Sequence, residues 1–438
     1  MMESVTKLFF FDLSPENIVL YLIMFGGISI LYMLFMPNIL GLQSRFAIRG
    51  AKKSLDNFEK WSKESKKLAI GKTEGFGRSK KEIKPELEDF LEFFSIDPVS
   101  EDPNGVIDRL EHLIDVRKGR FEDKAKSLAP EADSEELMDI ELTLQGALAN
   151  YTLYKTIRHY ILLAEKMESY QLVQLLNMQL PFMEKMAKTY SSATKAFSER
   201  KTIGDGIGPM IAAKLIEEAD TKEEIEDTVY AEKEIEGRKT FIIKAKGPGG
   251  RTGKPGELIK KLVERKTPER IMMIDAGMKL EGEKSGKIVE GVGAAIGGPP
   301  TEKYKIEKIA TEKGIPVDAL VIKESFGEAI TPMTKSLSES QNLALKKLRS
   351  AIEERTEEGD VIFIAGIGNT LGVGQSSNEV PTEFSEEEKD EEELESPSLQ
   401  GLTGRIGSFQ TPQLSLKKIL SPALDLPKRI KAKLARST

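Results

Sequence analysis

The sequence predicts an α/β protein with an N-terminal single transmembrane helix, then a helical domain, then a glycine-rich α/β domain with a largely parallel sheet, closed by a disordered C-terminal tail. Three observations carry this. Residues 18–44 hold no charge. Apolar residues recur at helical spacing between 82 and 202. From 203 to 375 short β-branched runs alternate with helical stretches, and 23 of the chain's 36 glycines fall there, which marks many turns between short elements. Alternation of strand and helix makes a parallel sheet the natural arrangement.

Ile18–Met36 is 19 residues of mostly Leu, Ile, Met and Phe, and at 1.5 Å per residue it nearly spans a hydrocarbon core of about 30 Å. A cleavable signal peptide fits poorly. Residues 1–17 hold Lys7 against Glu3, Asp12 and Glu16, and no small-residue cleavage site follows. The span is placed at 18–40, with 1–17 extracytoplasmic. Arg45, Arg49, Lys52 and Lys53 follow it, so the body is expected on the cytoplasmic side of a cell membrane, with the lipid bilayer as a partner. Residues 41–81 read as a basic juxtamembrane helix and linker. Phe46, Ile48, Leu55, Phe58 and Trp61 mark its apolar face, which suits lipid headgroups or a solvated connector equally.

The helical domain is placed at 82–202. Asp102-Pro103 starts a helix carrying Val106, Leu110, Leu113 and Ile114. Asp133-Ser134-Glu135-Glu136 resembles a capping box and opens a long helix with Leu137, Ile140, Leu144, Leu148 and Tyr151 on one face. Pro181 predicts a break between helices at 169–180 and 181–199. In the α/β domain, 203–375, strands are expected at 228–235, 239–246, 271–276, 319–323 and 361–365, the first two as a hairpin around Glu236-Gly237. Helices are expected at 209–219, 255–265, 285–296, 301–313 and 337–355. The tail, 376–438, holds nine acids and one lysine in 383–395, then seven basic residues against Asp425 in 417–438; such blocks cannot bury enough apolar surface to fold alone.

Composition narrows the chemistry. With no Cys and with His112 and His159 as the two histidines, disulfides, thiolate chemistry and Cys/His zinc sites are excluded, and both histidines read as ordinary. Carboxylates, lysines, hydroxyls, backbone amides or a hard cation such as magnesium remain. The net charge of −7 is accounted for by the acidic run alone, so it leaves the basic segments open to anionic lipid or nucleic acid.

Four glycine clusters follow strands or open helices. The first holds Asp205, Gly206 and Gly208 before Pro209 and a small-residue helix. Its first-turn amides suit an anion, but residues 203–216 also resemble the helix-hairpin-helix element that grips DNA phosphates. The second holds Gly249, Gly250, Arg251, Thr252 and Lys254, which offer close backbone approach, cations and a hydroxyl to a phosphate without forming a Walker motif. The third starts at Asp275 and runs through Glu281 to Gly291–Pro300. The fourth holds Gly366, Gly368, Asn369 and Thr370, a loose dinucleotide-type loop. Lys323 and Glu324 end another strand at the same rim. Asp275, Glu324 and Lys323 are the candidate catalytic groups, and Asp275, Glu281 and Glu324 the candidate magnesium ligands. The expected ligand is a nucleotide or phosphorylated small molecule, with nucleic-acid binding or a ligand-free scaffold as alternatives. No motif demands a cofactor or fixes an oligomeric state.

The strings IGDGIGPMIAAKLI, GPGGRTGKPGE, IDAGMKLEGEKSG, GAAIGGPPTEKYKIEKIA, KESFGEAITP and GIGNTLGVGQ resemble the archaeal family filed as domain of unknown function 1512. The resemblance covers the chain up to Gln375. It implies an archaeal, membrane-associated protein and supplies no activity, substrate or catalytic residue.

Overall fold

Apolar residues at alternate positions of the central strands face opposite layers, and a seven-stranded sheet covered on both sides results. The computed structural model describes residues 46–96, 105–298 and 300–385. The strands are β1 (Lys222–Ile225), β2 (Thr228–Ile235), β3 (Arg238–Ala245), β4 (Arg270–Met278), β5 (Ile288–Val292), β6 (Val317–Glu324) and β7 (Val361–Gly366), in the order β1-β2-β3-β7-β4-β6-β5. Within β4, Met272 and Ile274 join a core with helices α6 (Ile207–Ile216) and α10 (Lys335–Arg355), while Ile271 and Met273 face α7 (Pro255–Arg265) and α8 (Pro300–Lys313).

The helices before the sheet are α1 (46–73), α2 (Lys80–Phe90), α3 (Val106–Leu128), α4 (Ser134–Met167) and α5 (Tyr170–Ser198). Asp133 and Glu136 do form a capping box at the start of α4: the Glu136 amide donates to Asp133 Oδ1 at 2.8 Å and the Asp133 amide to Glu136 Oε2 at 2.9 Å. Pro181 lies inside α5 rather than at a break. Of the described residues, 46–56 and Ile157–Pro181 form one compact unit, in which Lys52 pairs with Glu165 at 2.7 Å. The rest form a second unit, and everything below concerns that one. There Ile83, Leu87, Phe90, Phe121, Leu128, Ile140 and Leu144 make a helical core, and a short helix α9 (Phe326–Ile330) follows β6 under a Ser325–Glu328 capping box.

The expected fold class is corrected in three respects. First, the sheet is mixed: β3–β7, β7–β4 and β4–β6 are parallel, whereas β1–β2, β2–β3 and β5–β6 are antiparallel. Glu236 and Gly237 both take positive φ (48° and 72°), the geometry of a two-residue hairpin, which forces β2 against β3. Segment 285–296, expected as a helix, is instead the edge strand β5, in line with the helix-weakening effect of Gly286, Gly291 and Gly293. Second, among the described residues no helix is long and apolar enough to cross a membrane, because the long helices carry charged residues on their outer faces. The expected span at 18–40 lies outside the described residues, as does residue 386 onward, so a transmembrane helix is no part of the fold established here. Third, the start of the expected tail belongs to the fold. Residues 376–385 return along the domain: Val380 is buried in the α6/α10 core, and the Ser385 amide donates to the Met333 carbonyl at 3.0 Å.

Candidate functional site

The parallel strands β3, β7, β4 and β6 end at one rim, and the loops that leave it are those the glycine clusters marked. The first cluster serves packing. A short 3-10 turn, Gly204–Gly206, leads into α6, whose residues Ile207–Ala213 are all buried. A Cβ on Gly208 would overlap the Ile367 carbonyl oxygen and stand 2.7 Å from the Ile274 carbonyl; one on Gly366 would overlap the Gly208 carbonyl. Gly208 and Gly366 therefore let α6 lie directly on the ends of β4 and β7. Gly368, at φ 135°, lies against the Asp205 backbone.

The basic loop is already occupied. Arg251 Nη1 bonds Glu141 Oε2 of α4 at 2.6 Å, with Asp227 Oδ2 3.5 Å from Nε and Glu122 Oε1 3.7 Å from Nη2. Burial lowers the basicity of this guanidinium, but Glu141 and Asp227 outweigh it, so Arg251 stays firmly charged. Lys254 pairs with Asp115 at 3.3 Å, and Lys118 with Asp227 at 2.7 Å. Gly249 and Gly250 make room for Met138 and Leu142 of α4, not for a vacant cradle. Asn369 and Thr370 stitch the loops together: Asn369 Nδ2 donates to the Gly250 carbonyl at 3.1 Å, and the Thr370 hydroxyl receives the Arg251 amide at 3.1 Å.

The carboxylates form the second layer of the site. Asp205 Oδ2 accepts the Asn369 amide at 2.8 Å, and Asp275 Oδ2 accepts the Gly297 amide at 2.7 Å. Glu302 Oε2 caps α7 through the amides of Gly256 (2.7 Å) and Glu257 (3.1 Å). Glu324 is 1% exposed, abuts Gly204, and has no hydrogen-bond partner on either oxygen. Burial pushes Asp205 up to about 6, against the Asn369 amide, which lowers it. Burial, then the Asp205 charge, holds Asp275 well above the usual carboxylate range; Glu324 is raised by burial and then by Asp205 and Glu328. None of the ion pairs among the described residues involves Asp205, Asp275 or Glu324.

Two cavities meet here. The larger, about 210 Å³, lies between the rim and helices α3 and α4; Asp205, Glu141, Arg251, Thr252, Lys254 and Asn369 are among its lining, facing an apolar wall that includes Leu110, Ile114 and Leu142. The smaller, about 20 Å³, has Asp205, Asp275, Glu302 and Thr252 on its polar side, Pro255, Ile296 and Ile367 on its apolar side, and Gly253, Gly298 and Gly368 between them. Asp205, Thr252, Gly253 and Glu302 belong to both, so the small cavity adjoins the large one. Asp205 is partly open, but to these cavities, which is why it is strongly desolvated. Lys323 is directed elsewhere, with Nζ 2.8 Å from the Met278 carbonyl, and Glu281 is exposed. Among the described residues no three acidic or histidine side chains stand close enough to hold an ion together, so the set Asp275, Glu281 and Glu324 is not assembled as a magnesium site.

This site draws on two recognisable segments. Residues 203–374 match the family described as "Domain of unknown function (DUF1512) C-terminal", and residues 23–200 match "Protein of unknown function (DUF1512) N-terminal domain". The chain belongs to the DUF1512 family. No curated protein and no solved structure matches it. The smaller cavity is built wholly on the DUF1512 C-terminal segment, whereas the larger draws equally on both segments, with α3 and α4 supplying most of the N-terminal half.

Several residues of the site carry no local signal in the sequence. Glu141, Asp227 and Lys118 enter from other elements; Glu141 is 110 positions from the Arg251 it holds. Outside both cavities, Lys244, fully buried near the end of β3, is held by the carbonyls of Ala245 and Gly374 at 2.9 Å and by Gln375 Oε1 at 3.0 Å, and burial pulls it down to about 7. An apolar strand ending in lysine was the one available hint.

Proposed function

We propose that the α/β domain binds a small phosphorylated ligand in the cavity at its carboxyl rim. The cavity carries the reading. Ligands of open α/β sheets lie outside the carboxyl ends of the parallel strands, and here the strand ends, the glycine loops and a cavity coincide. Arg251, Lys254 and Lys118 supply cationic side chains there and Thr252 a hydroxyl. At about 210 Å³ the cavity falls below the roughly 300–1,000 Å³ typical of drug-sized ligands, which favours a sugar phosphate over a dinucleotide. Since each cation is already paired, a phosphate enters by exchanging with Glu141 and Asp115. It does not fill an empty receptor.

The test is thermal melting of the full chain with sugar phosphates, nucleotides and short DNA, each with and without magnesium. A compound at about 100 times its Kd stabilises by about 2.7 kcal/mol. At least one phosphorylated compound should raise Tm, DNA should not, and Lys254→Ala should weaken the effect. If no phosphorylated compound shifts Tm, the reading fails.

A further inference from the structure

We infer, on the strength of the phosphate reading above, that the ligand of the larger cavity is a phosphate ester of a small apolar group, whose hydrocarbon or aromatic part sits on Leu110, Leu113 and Ile114 of α3. These residues recur at i, i+3 and i+4, so they share one face of the helix, and all three line the cavity. An apolar stripe on a helix normally closes a core. Here each of the three is only partly buried, and neither the two cores of the sheet nor the helical core includes any of them. The buried residues of α3 are Phe121, Ala125 and Leu128, all beyond the stripe. The neighbouring helix α8 brings Thr301 and Glu302 to the cavity, both polar. The stripe therefore faces the space of about 210 Å³ rather than an apolar partner.

The charges of the same lining point the same way. One turn beyond the stripe, Arg117 and Lys118 continue its face into the cavity, and Arg251 and Lys254 reach it from the rim. Acids outnumber cations in the lining seven to four, and Lys118, Arg251 and Lys254 are each paired with an acid. A phosphate that must exchange with a carboxylate gains little from charge alone. Displacing water from the stripe meets no such competitor, because no group of the protein covers it. The apolar part then supplies most of the affinity and the phosphate sets the orientation, the division found in apolar pockets with a few placed polar groups. A sugar would bring hydroxyls to side chains that cannot pair with them. Cavity size sets the ligand at about the dimensions of a sugar phosphate, and the stripe sets its character.

The experiment is calorimetric binding of four compounds to the full chain: benzyl phosphate, benzyl alcohol, ribose 5-phosphate and ribose. A buried methylene is worth about fourfold in affinity, so a ring on the stripe should make benzyl phosphate bind at least tenfold tighter than ribose 5-phosphate. Leu110→Asn with Ile114→Asn should abolish that preference and leave the weaker ribose 5-phosphate binding as it was. No residue of α3 before Phe121 is buried, so this variant should keep a cooperative melting transition. Leu113→Ala, which removes apolar surface without adding a polar group, repeats the test if it does not. Val116→Asn is the control, on the same helix but exposed and outside the lining, and should change nothing. Ribose 5-phosphate binding as tightly as benzyl phosphate, or a preference for benzyl phosphate that survives the stripe variants, overturns the inference and leaves the phosphate reading in place. If benzyl alcohol binds as tightly as benzyl phosphate and the stripe variants weaken both, the phosphate reading falls and the apolar seat alone survives. Binding of none of the four overturns both.

Discussion

Gly208→Ala separates a packing glycine from a ligand-binding one. A Cβ there would overlap the Ile367 carbonyl and stand 2.7 Å from the Ile274 carbonyl. Both neighbours are backbone at the ends of β7 and β4, so no side chain can swing aside, and α6 must lift off the sheet. That opens the layer where Met210, Ile211 and Leu215 are packed. Overpacking costs about 1–3 kcal/mol where neighbours can adjust; with rigid neighbours the upper end applies, and the helix-propensity gain of alanine, about 1 kcal/mol, offsets only part. A net loss of about 2–3 kcal/mol corresponds to a fall in Tm of roughly 5 °C or more for a domain of this size. Gly291→Ala is the control, since nothing lies within 4 Å of its Cβ position. Thermal unfolding followed by circular dichroism, with urea midpoints alongside, reads both. If Gly208→Ala melts with the wild type yet abolishes a ligand-induced shift, the glycine serves ligand and the packing argument is refuted.

Three further outcomes are expected. Arg251→Ala leaves Glu141 buried and unpaired and should cost about 3–5 kcal/mol, whereas Arg251→Met with Glu141→Leu should cost far less than the sum of the single changes; chemical denaturation of the full cycle measures the coupling, and additive costs would show the pair to be unimportant. Asp205 has a folded pKa of about 6 against an ordinary 3.8, so the native state binds the extra proton. Its contribution is present below pH 3.8 and is lost as pH rises through 6, a fall of about 3 kcal/mol. Asp205→Asn should flatten stability between pH 4 and 6 and melt higher than wild type at pH 7.5; an unchanged pH profile would refute the burial argument. Glu302→Ala removes the cap on the Gly256 and Glu257 amides and should cost about 1–2 kcal/mol, visible as faster amide exchange in the first turn of α7.

Much of the domain is legible in the residues themselves. The hairpin follows from Glu236-Gly237, the start of α4 from Asp133 and Glu136, and β4, β6, β7 and α7 from apolar runs bounded by glycine, proline or charge. Where the reading diverges, a competing effect is identifiable. Ile288-Val289 is a short apolar run that suits helix or strand, and its flanking glycines and the open edge of β6 decide for strand. Strand β1, Lys-Glu-Glu-Ile, has no apolar alternation and is fixed by its pairing with β2. For the site, sequence marks the right loops because strand ends are where loops must gather. It does not give their occupants: a glycine needed for a passing helix looks the same as one needed for a ligand, and the helix that decides the matter is remote in the chain.

The sequence presents the glycine loops as anion receptors, and in the fold each receptor holds an acid of the protein itself. Glu141 takes the Arg251 guanidinium, Glu302 the first amides of α7, and Asp205 the amide of Asn369. A free phosphate would have to displace a carboxylate of the same charge, gaining little from electrostatics, and would sit beside Asp205.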